Sequence, residues 1–267
     1  MNTFIKKYML KLFTEFIKET TAILLPASCY ICGRRLWHKQ ICHNCIPAFD
    51  IRTDIRCPVC FSLIGSNEVC VACKSIPLPF NKTRFIWNYS GKGRDLVKIM
   101  KYRPSPALCK VAAKFLVEAY PLLEFNETFD VILAIPSSKK NLRLRGFNQC
   151  DILASCLAKF LKIPFKKQGL KHIKQIKSQA ALSHQERLSN VKNAFYADSK
   201  ICFNKNVLLI DDVVTTGATS QTAALSLLNS GAKCVSLLSL IRSDTWNRFR
   251  GELYKKNCSR HHRSTSI

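Results

Sequence analysis

Cys29, Cys32, Cys42 and Cys45 form a CxxC-x9-CxxC array, and Cys57, Cys60, Cys70 and Cys73 repeat it with every spacing kept, each shifted by 28 positions. No other feature of the chain constrains its folding so tightly. Two thiolates separated by two residues can sit on one tight turn with both sulfurs facing a common point. Two such turns complete a tetrahedral four-cysteine zinc site. Buried inert thiols or a redox pair are the competing readings of a single CxxC. Four of them at a repeated spacing favour metal. A site closed by four thiolates keeps no open position for substrate, so the zinc expected here is structural. Spacing does not decide whether neighbouring CxxC turns pair or the first pairs with the third. His38 and His43 lie near the ligands, but with four cysteines to each set they are read as bystanders.

In a secreted protein, fourteen cysteines would suggest disulfides. The opening MNTFIKKYMLKLFTEFIKETTAILLP, however, spreads charges through its apolar residues and lacks the continuous apolar stretch of a signal peptide. No apolar run approaches the ~18 residues that a membrane span needs. The expected compartment is therefore the reducing cytoplasm. Phe4, Ile5, Met9, Leu12, Phe13, Phe16 and Ile17 fall on one side of this opening segment. An amphipathic helix over 1–25 is expected, packing on the cysteine module in preference to lying on an anionic membrane. The 267 residues, 47% of them hydrophobic, leave room for one α/β domain besides that module.

From about residue 80 the texture changes. RFIWNYS reads as a strand, and GRDLVKIMKYRPSPALCKVAAKFLVEAYPLL as two helices with a proline break at 104–106. DVILAIP is a short apolar run, followed by the helical periodicity of NQCDILASCLAKFLK. VLLI, TSQTAALSLLNSG and CVSLLSLI then give strand, helix and strand, with Gly231 as a helix C-cap. Such alternation favours a parallel sheet with helices on both faces, and ligands of such sheets bind beyond the carboxyl ends of the strands.

Asp211 and Asp212 stand at that edge, in VLLIDDVVTTGAT (207–219). An unpaired buried carboxylate is costly, so a cation or hydroxyl-rich partner is expected to meet them. The turn at 215–219 opens a helix whose unpaired N–H groups, with threonine hydroxyls and Gly217, suit a phosphate. Carboxylates for ribose hydroxyls beside a phosphate cup fit a sugar phosphate. Neither GxxxxGK nor GxGxxG is present. The bland alternative is an ordinary N-capping threonine after a buried strand.

The stretch resembles the 5-phosphoribosyl-1-pyrophosphate (PRPP) motif of type I phosphoribosyltransferases. Together with KIMKYR (98–103), IPSSKKNLRLRGFNQ (135–149) and QAALSHQERLSNVKNAF (179–195), it makes roughly 23–242 resemble the ComF family of competence-associated proteins. That resemblance implies an N-terminal zinc-binding module, here 26–78, joined to a phosphoribosyltransferase-like α/β domain over 80–243, with a basic tail at 244–267. It further implies PRPP bound with magnesium. Asp211 and Asp212 would contact ribose, Thr215, Thr216, Gly217, Ala218 and Thr219 would hold the 5′-phosphate, and Ser137, Ser138 and Lys139 would form the pyrophosphate loop with Arg145 as a counter-charge. Hypoxanthine–guanine enzymes carry an aspartate base where Thr215 stands, and a threonine cannot accept that proton at neutral pH. The sequence assigns no catalytic residue.

Basic residues outnumber acidic ones 42 to 17, a net +25, which points to an anionic partner. Between Asp130 and Glu186 only Asp151 is acidic, against eleven lysines and arginines. Pyrophosphate needs two or three of them. The surplus, with Lys166, Lys167, Lys171 and Lys174 at its centre, fits single-stranded DNA, with Phe147 or Trp37 as stacking partners. A second basic group, Lys92 to Arg103, lies on the first helix of the α/β domain. Three functions follow: a protein of natural transformation that binds PRPP and single-stranded DNA, an active phosphoribosyltransferase on an unidentified acceptor, or a scaffold whose zinc module docks a competence helicase-like protein.

Overall fold

The computed structural model describes residues 27–36, 41–49, 55–65, 68–172, 194–243 and 245–246. The helix expected over 1–25, Trp37, Lys174, residues 179–193 and the tail beyond Trp246 lie outside them. By its contacts the chain divides into two compact units, 1–48 and 49–267. The sequence placed both cysteine arrays in one module ending at 78; this division sets the second array with the α/β sheet.

In the first unit, β1 (Ala27–Ser28) pairs antiparallel with β2 (Arg35–Leu36), and a single 3-10 turn spans His43–Cys45. Among its described residues, Cys29, Cys42 and Cys45 account for most of what is buried. Sulfur stands where a larger fold would place an apolar core.

The second unit opens with the second array and a short helix, α1 (Val71–Ser75). Its sheet joins β3 (Thr83–Asn88), β4 (Val131–Ala134), β7 (Asn206–Val214) and β8 (Cys234–Arg242) in the order β3-β8-β7-β4, every pair parallel. Helices α2 (Gly91–Tyr102), α3 (Pro106–Ala119), α4 (Lys139–Arg145), α5 (Gln149–Leu161), α6 (Ser199–Cys202) and α7 (Ala218–Asn229) complete it. An antiparallel pair, β5 (Leu170–His172) and β6 (Phe195–Ala197), stands apart from the main sheet. Ser105 caps α3, its hydroxyl accepting from the Leu108 N–H at 3.4 Å, with Pro106 in the first turn: the break at 104–106 is a helix end and a fresh start.

Because both faces are covered, the strands read as continuous apolar runs. Alternation still sorts them. Val131, Leu133, Val207, Leu209, Val235 and Leu237 share one buried cluster with Ala223, Ala224 and Leu227 of α7. The intervening Ile132, Leu208, Ile210 and Leu238, also buried, point to the opposite face. The first cluster includes Cys57, Cys60 and Cys73. The second array is thus built into the core of the sheet.

Candidate functional site

The strands end unevenly. β4 stops at Ala134, opposite Ile210, and the Ile135 N–H makes the last bond across, to the Ile210 carbonyl at 2.9 Å. β7 runs on to Val214, paired with β8 alone. Residues 211–214 therefore border a gap on the side that β4 has left, at the carboxyl edge where such sheets take ligands. The sequence ended this strand at Ile210; its pairing with β8 carries it four residues further.

Alternation now separates the two carboxylates. Asp211 turns to the α7 face, is buried, and accepts from the Ser220 hydroxyl at 2.9 Å and the Asp212 N–H at 2.9 Å. The Cys150 thiol lies 3.9 Å from its Oδ1. Burial, then the charge of Asp212, pushes the Asp211 carboxyl up to about 7. Asp212 is half-buried and lines a cleft of about 310 Å³ together with Lys101, Ser137, Ser138, Arg145, Thr219 and Asp211. Asp211, Asp212 and Cys150 each bring a ligand atom within 4.8 Å of the others, and Asp212, the more open carboxylate, suits a hard cation such as magnesium. The Cys150 thiol, which burial holds well above its ordinary range, is a soft ligand ill suited to such an ion.

Asn148 fixes the opposite wall. It accepts from the Ser137 hydroxyl at 2.8 Å and caps α5, accepting from the Cys150 N–H at 3.3 Å. Its amide donates to the Ile135 carbonyl at 3.0 Å and to Asp151 at 2.7 Å. Ser138 caps α4, accepting from the Asn141 N–H at 3.3 Å, and Arg145 donates to Gln149 at 3.1 Å.

At the 215–219 turn, Gly217 occupies the N-cap of α7 at φ +76 and offers no side-chain oxygen to the first-turn N–H groups. Thr216 Oγ1 accepts from the Ala218 N–H at 3.4 Å. Thr215, Ala218 and Thr219 are exposed. On sequence grounds Gly217 lets a ligand approach the backbone closely. The structure adds another constraint: a Cβ there would lie 2.0 Å from Cζ3 of the buried Trp246. Only glycine fits this turn.

Of the expected site residues, Asp211, Asp212, Ser137, Ser138, Arg145 and Thr219 meet in this cleft, with Thr215 to Ala218 in the turn leading to it. Lys139 lines a neighbouring cleft instead, with Lys167 and Lys171. Lys166 is exposed, and Lys174 is outside the described residues. The sequence assigned no site role to Lys101, Asn148, Cys150 or His172. Asn148 was within reach, as a capping residue before a helical period.

Neighbouring CxxC turns pair. The four sulfurs of Cys29, Cys32, Cys42 and Cys45 lie within 4.8 Å of one another, as do those of Cys57, Cys60, Cys70 and Cys73. Cys32 and Cys42 sulfurs are 3.6 Å apart, and Cys60 and Cys70 sulfurs 3.7 Å. A tetrahedron with metal–sulfur bonds of ~2.3 Å has edges of about 3.8 Å, so both sets fit an ion such as zinc. The Cys42 N–H donates to the Cys29 sulfur at 3.3 Å, and the Cys70 N–H to the Cys57 sulfur at 3.4 Å. Hydrogen bonding from Cys73 holds the Cys60 thiol down at about 4, while burial and the Cys60 charge push Cys70 up to about 11. Sulfurs this close ionise together only around a cation.

No protein-family profile matches the chain. It is 28% identical over 227 residues to the DNA utilization protein YhgH of Salmonella typhi, covering 83% of this chain and 99% of that one. It is 28% identical over 213 residues to the competence protein ComFC of Bacillus subtilis, covering 77% and 85%. Among solved structures it is similar to the glutamine PRPP amidotransferase from B. subtilis, with 21% identity and a TM-score of 0.37, over 49% of this chain and only 25% of that one.

Proposed function

We propose that this chain, a member of the ComF family, binds PRPP with magnesium in the Asp211–Asp212 cleft and single-stranded DNA on the adjoining basic surface, in the handling of DNA during competence. One observation carries the reading. Where β7 outruns β4, two carboxylates, a serine-lined loop and the N-terminus of α7 converge on one gap. The carboxylates suit ribose hydroxyls, and the 215–219 turn suits the 5′-phosphate. Ser137 and Ser138 suit the pyrophosphate, with Arg145 and Lys101 as counter-charges. Lys139 belongs to the same pyrophosphate loop. Magnesium, held through Asp212, would neutralise diphosphate charge. Zinc in the two cysteine sets holds structure and takes no part in chemistry. Lys166, Lys167 and Lys171 serve the strand's phosphates, with Lys174 beyond them in sequence.

Calorimetry with PRPP and magnesium tests the first half. Changing both aspartates to asparagine should weaken binding at least ~tenfold, because losing charged hydrogen bonds costs about 1.5–3 kcal/mol each; unchanged affinity places the ligand elsewhere. Strand binding should fall steeply with salt, each neutralised phosphate adding roughly −0.7 to the log–log slope. Pyrophosphate release on adding candidate acceptors would favour the phosphoribosyltransferase reading.

A further inference from the structure

A second cleft, of about 440 Å³, borders the 137–139 loop. Pro136, Ser137, Asn148 and His172 line both clefts, so the Ser137–Asn148 hydrogen bond of 2.8 Å lies in a shared wall. Phe147, Ile152 and Leu170 give it an apolar floor, while Leu142, Lys139 and Lys171 stand exposed at its margin. Asp151, the one carboxylate among the described lining residues, accepts from Asn148 at 2.7 Å and pairs with Lys167 at 3.1 Å, which offsets its charge. Among the described residues neither Lys139 nor Lys171 pairs with a carboxylate.

A bare phosphate has no use for the apolar floor, and an apolar ligand has none for the lysines. A nucleotide unit has use for both, and the volume is in the range of small-ligand pockets. We infer that this second cleft seats one nucleobase against Phe147, with its neighbouring phosphates on Lys139 and Lys171. In its strand form the inference rests on the proposed DNA binding; a free mononucleotide is the other source of the same chemistry. A base seated there would lie one wall away from PRPP.

The test compares oligothymidylate, an abasic strand of equal length, and thymidine monophosphate, by fluorescence titration of the full-length metal-loaded chain. The wild type should bind oligothymidylate at least ~fivefold more tightly than the abasic strand, the scale of one base–aromatic stack. Phe147→Leu, which keeps apolar bulk, should remove most of that preference and leave PRPP affinity unchanged. Lys171→Gln should weaken both strands alike and reduce the salt slope by ~0.7. Equal, salt-sensitive binding of both strands overturns the base slot and leaves the DNA reading standing. Phe147-dependent binding of the mononucleotide, with no strand binding, keeps the slot and removes the DNA reading. Binding of neither strand nor mononucleotide overturns both.

Discussion

The two cysteine sets are one turn design placed in two settings. The Cys29 N–H donates to Arg34 at 2.8 Å and the Cys57 N–H to Ser62 at 2.9 Å. Gly33 donates to the Cys29 carbonyl at 3.0 Å, and Phe61 to that of Cys57 at 2.9 Å. Both Gly33 and Phe61 adopt positive φ, +75 and +58. For glycine this is free; for phenylalanine it is strain on the order of 1 kcal/mol. Among the described residues nothing lies within 4 Å of a Cβ built on Gly33. Phe61 is buried, edge-on to Phe85 at 5.3 Å, with the Arg84 guanidinium 4.7 Å above its ring. The sheet holds this second turn from several sides. Thr83 N–H donates to Val59 at 2.7 Å, Arg84 to Pro58 at 3.0 Å, and Arg242 to Cys60 at 3.1 Å and Ser62 at 3.0 Å. Equal spacing fixes the turn; what surrounds it decides how much of the molecule depends on it.

The largest effect should therefore come from unequal answers to equal mutations. Each chain should carry two zinc ions, and Cys29→Ser or Cys57→Ser should each lose one. Cys57→Ser should lower the stability of the 49–267 unit by at least ~3 kcal/mol, because metal and core packing are lost together. Cys29→Ser should act within its own unit. Equal shifts of the main calorimetric transition would erase the distinction between the two sets.

The equivalent turn residues should differ in the same sense. Phe61→Ala keeps the strained backbone and loses the ring, at a cost of about 3 kcal/mol; Gly33→Ala should cost about 1 kcal/mol, within the first set. A Phe61→Gly variant more stable than wild type would mean that strain outweighs packing.

A pH titration offers a gentler probe confined to the second unit. The folded state raises the Asp211 carboxyl from 3.8 to about 7, so over that interval the folded protein keeps a proton that the unfolded chain has released. This contribution to stability is fullest at acid pH and is lost as pH rises toward 7. In magnesium-free buffer, Asp211→Asn should gain on wild type across that interval, as read by urea midpoints. A constant difference would place the ionisation elsewhere. The smallest effect belongs to Glu68, which pairs with Lys74 at 2.6 Å in the open. Glu68→Gln should leave the melting temperature unchanged, since exposed pairs contribute little.

Much of this contrast was beyond the reach of sequence pattern. The apolar runs at 131–136, 207–210 and 234–241 disclosed the parallel sheet because burial on both faces leaves a continuous signature. The carboxylates, the turn and the ligand cysteines were legible because each is a local motif. α4 was not read as a helix, since none of its residues is buried and no period marks it. The embedding of the second cysteine set was hidden for another reason: Arg242, which holds it, lies more than 180 residues away from Cys60 and matches no spacing rule.

The close approach of Trp246 to Gly217 makes the indole an optical reporter. Trp246 is 1% exposed, packed behind the turn at which a phosphate would arrive. The chain has three tryptophans, and replacing Trp37 and Trp87 with phenylalanine leaves Trp246 as the sole indole emitter. Any tightening of the 215–219 backbone on a ligand would then register as a change in its quantum yield, free of label and legible in a stopped-flow trace.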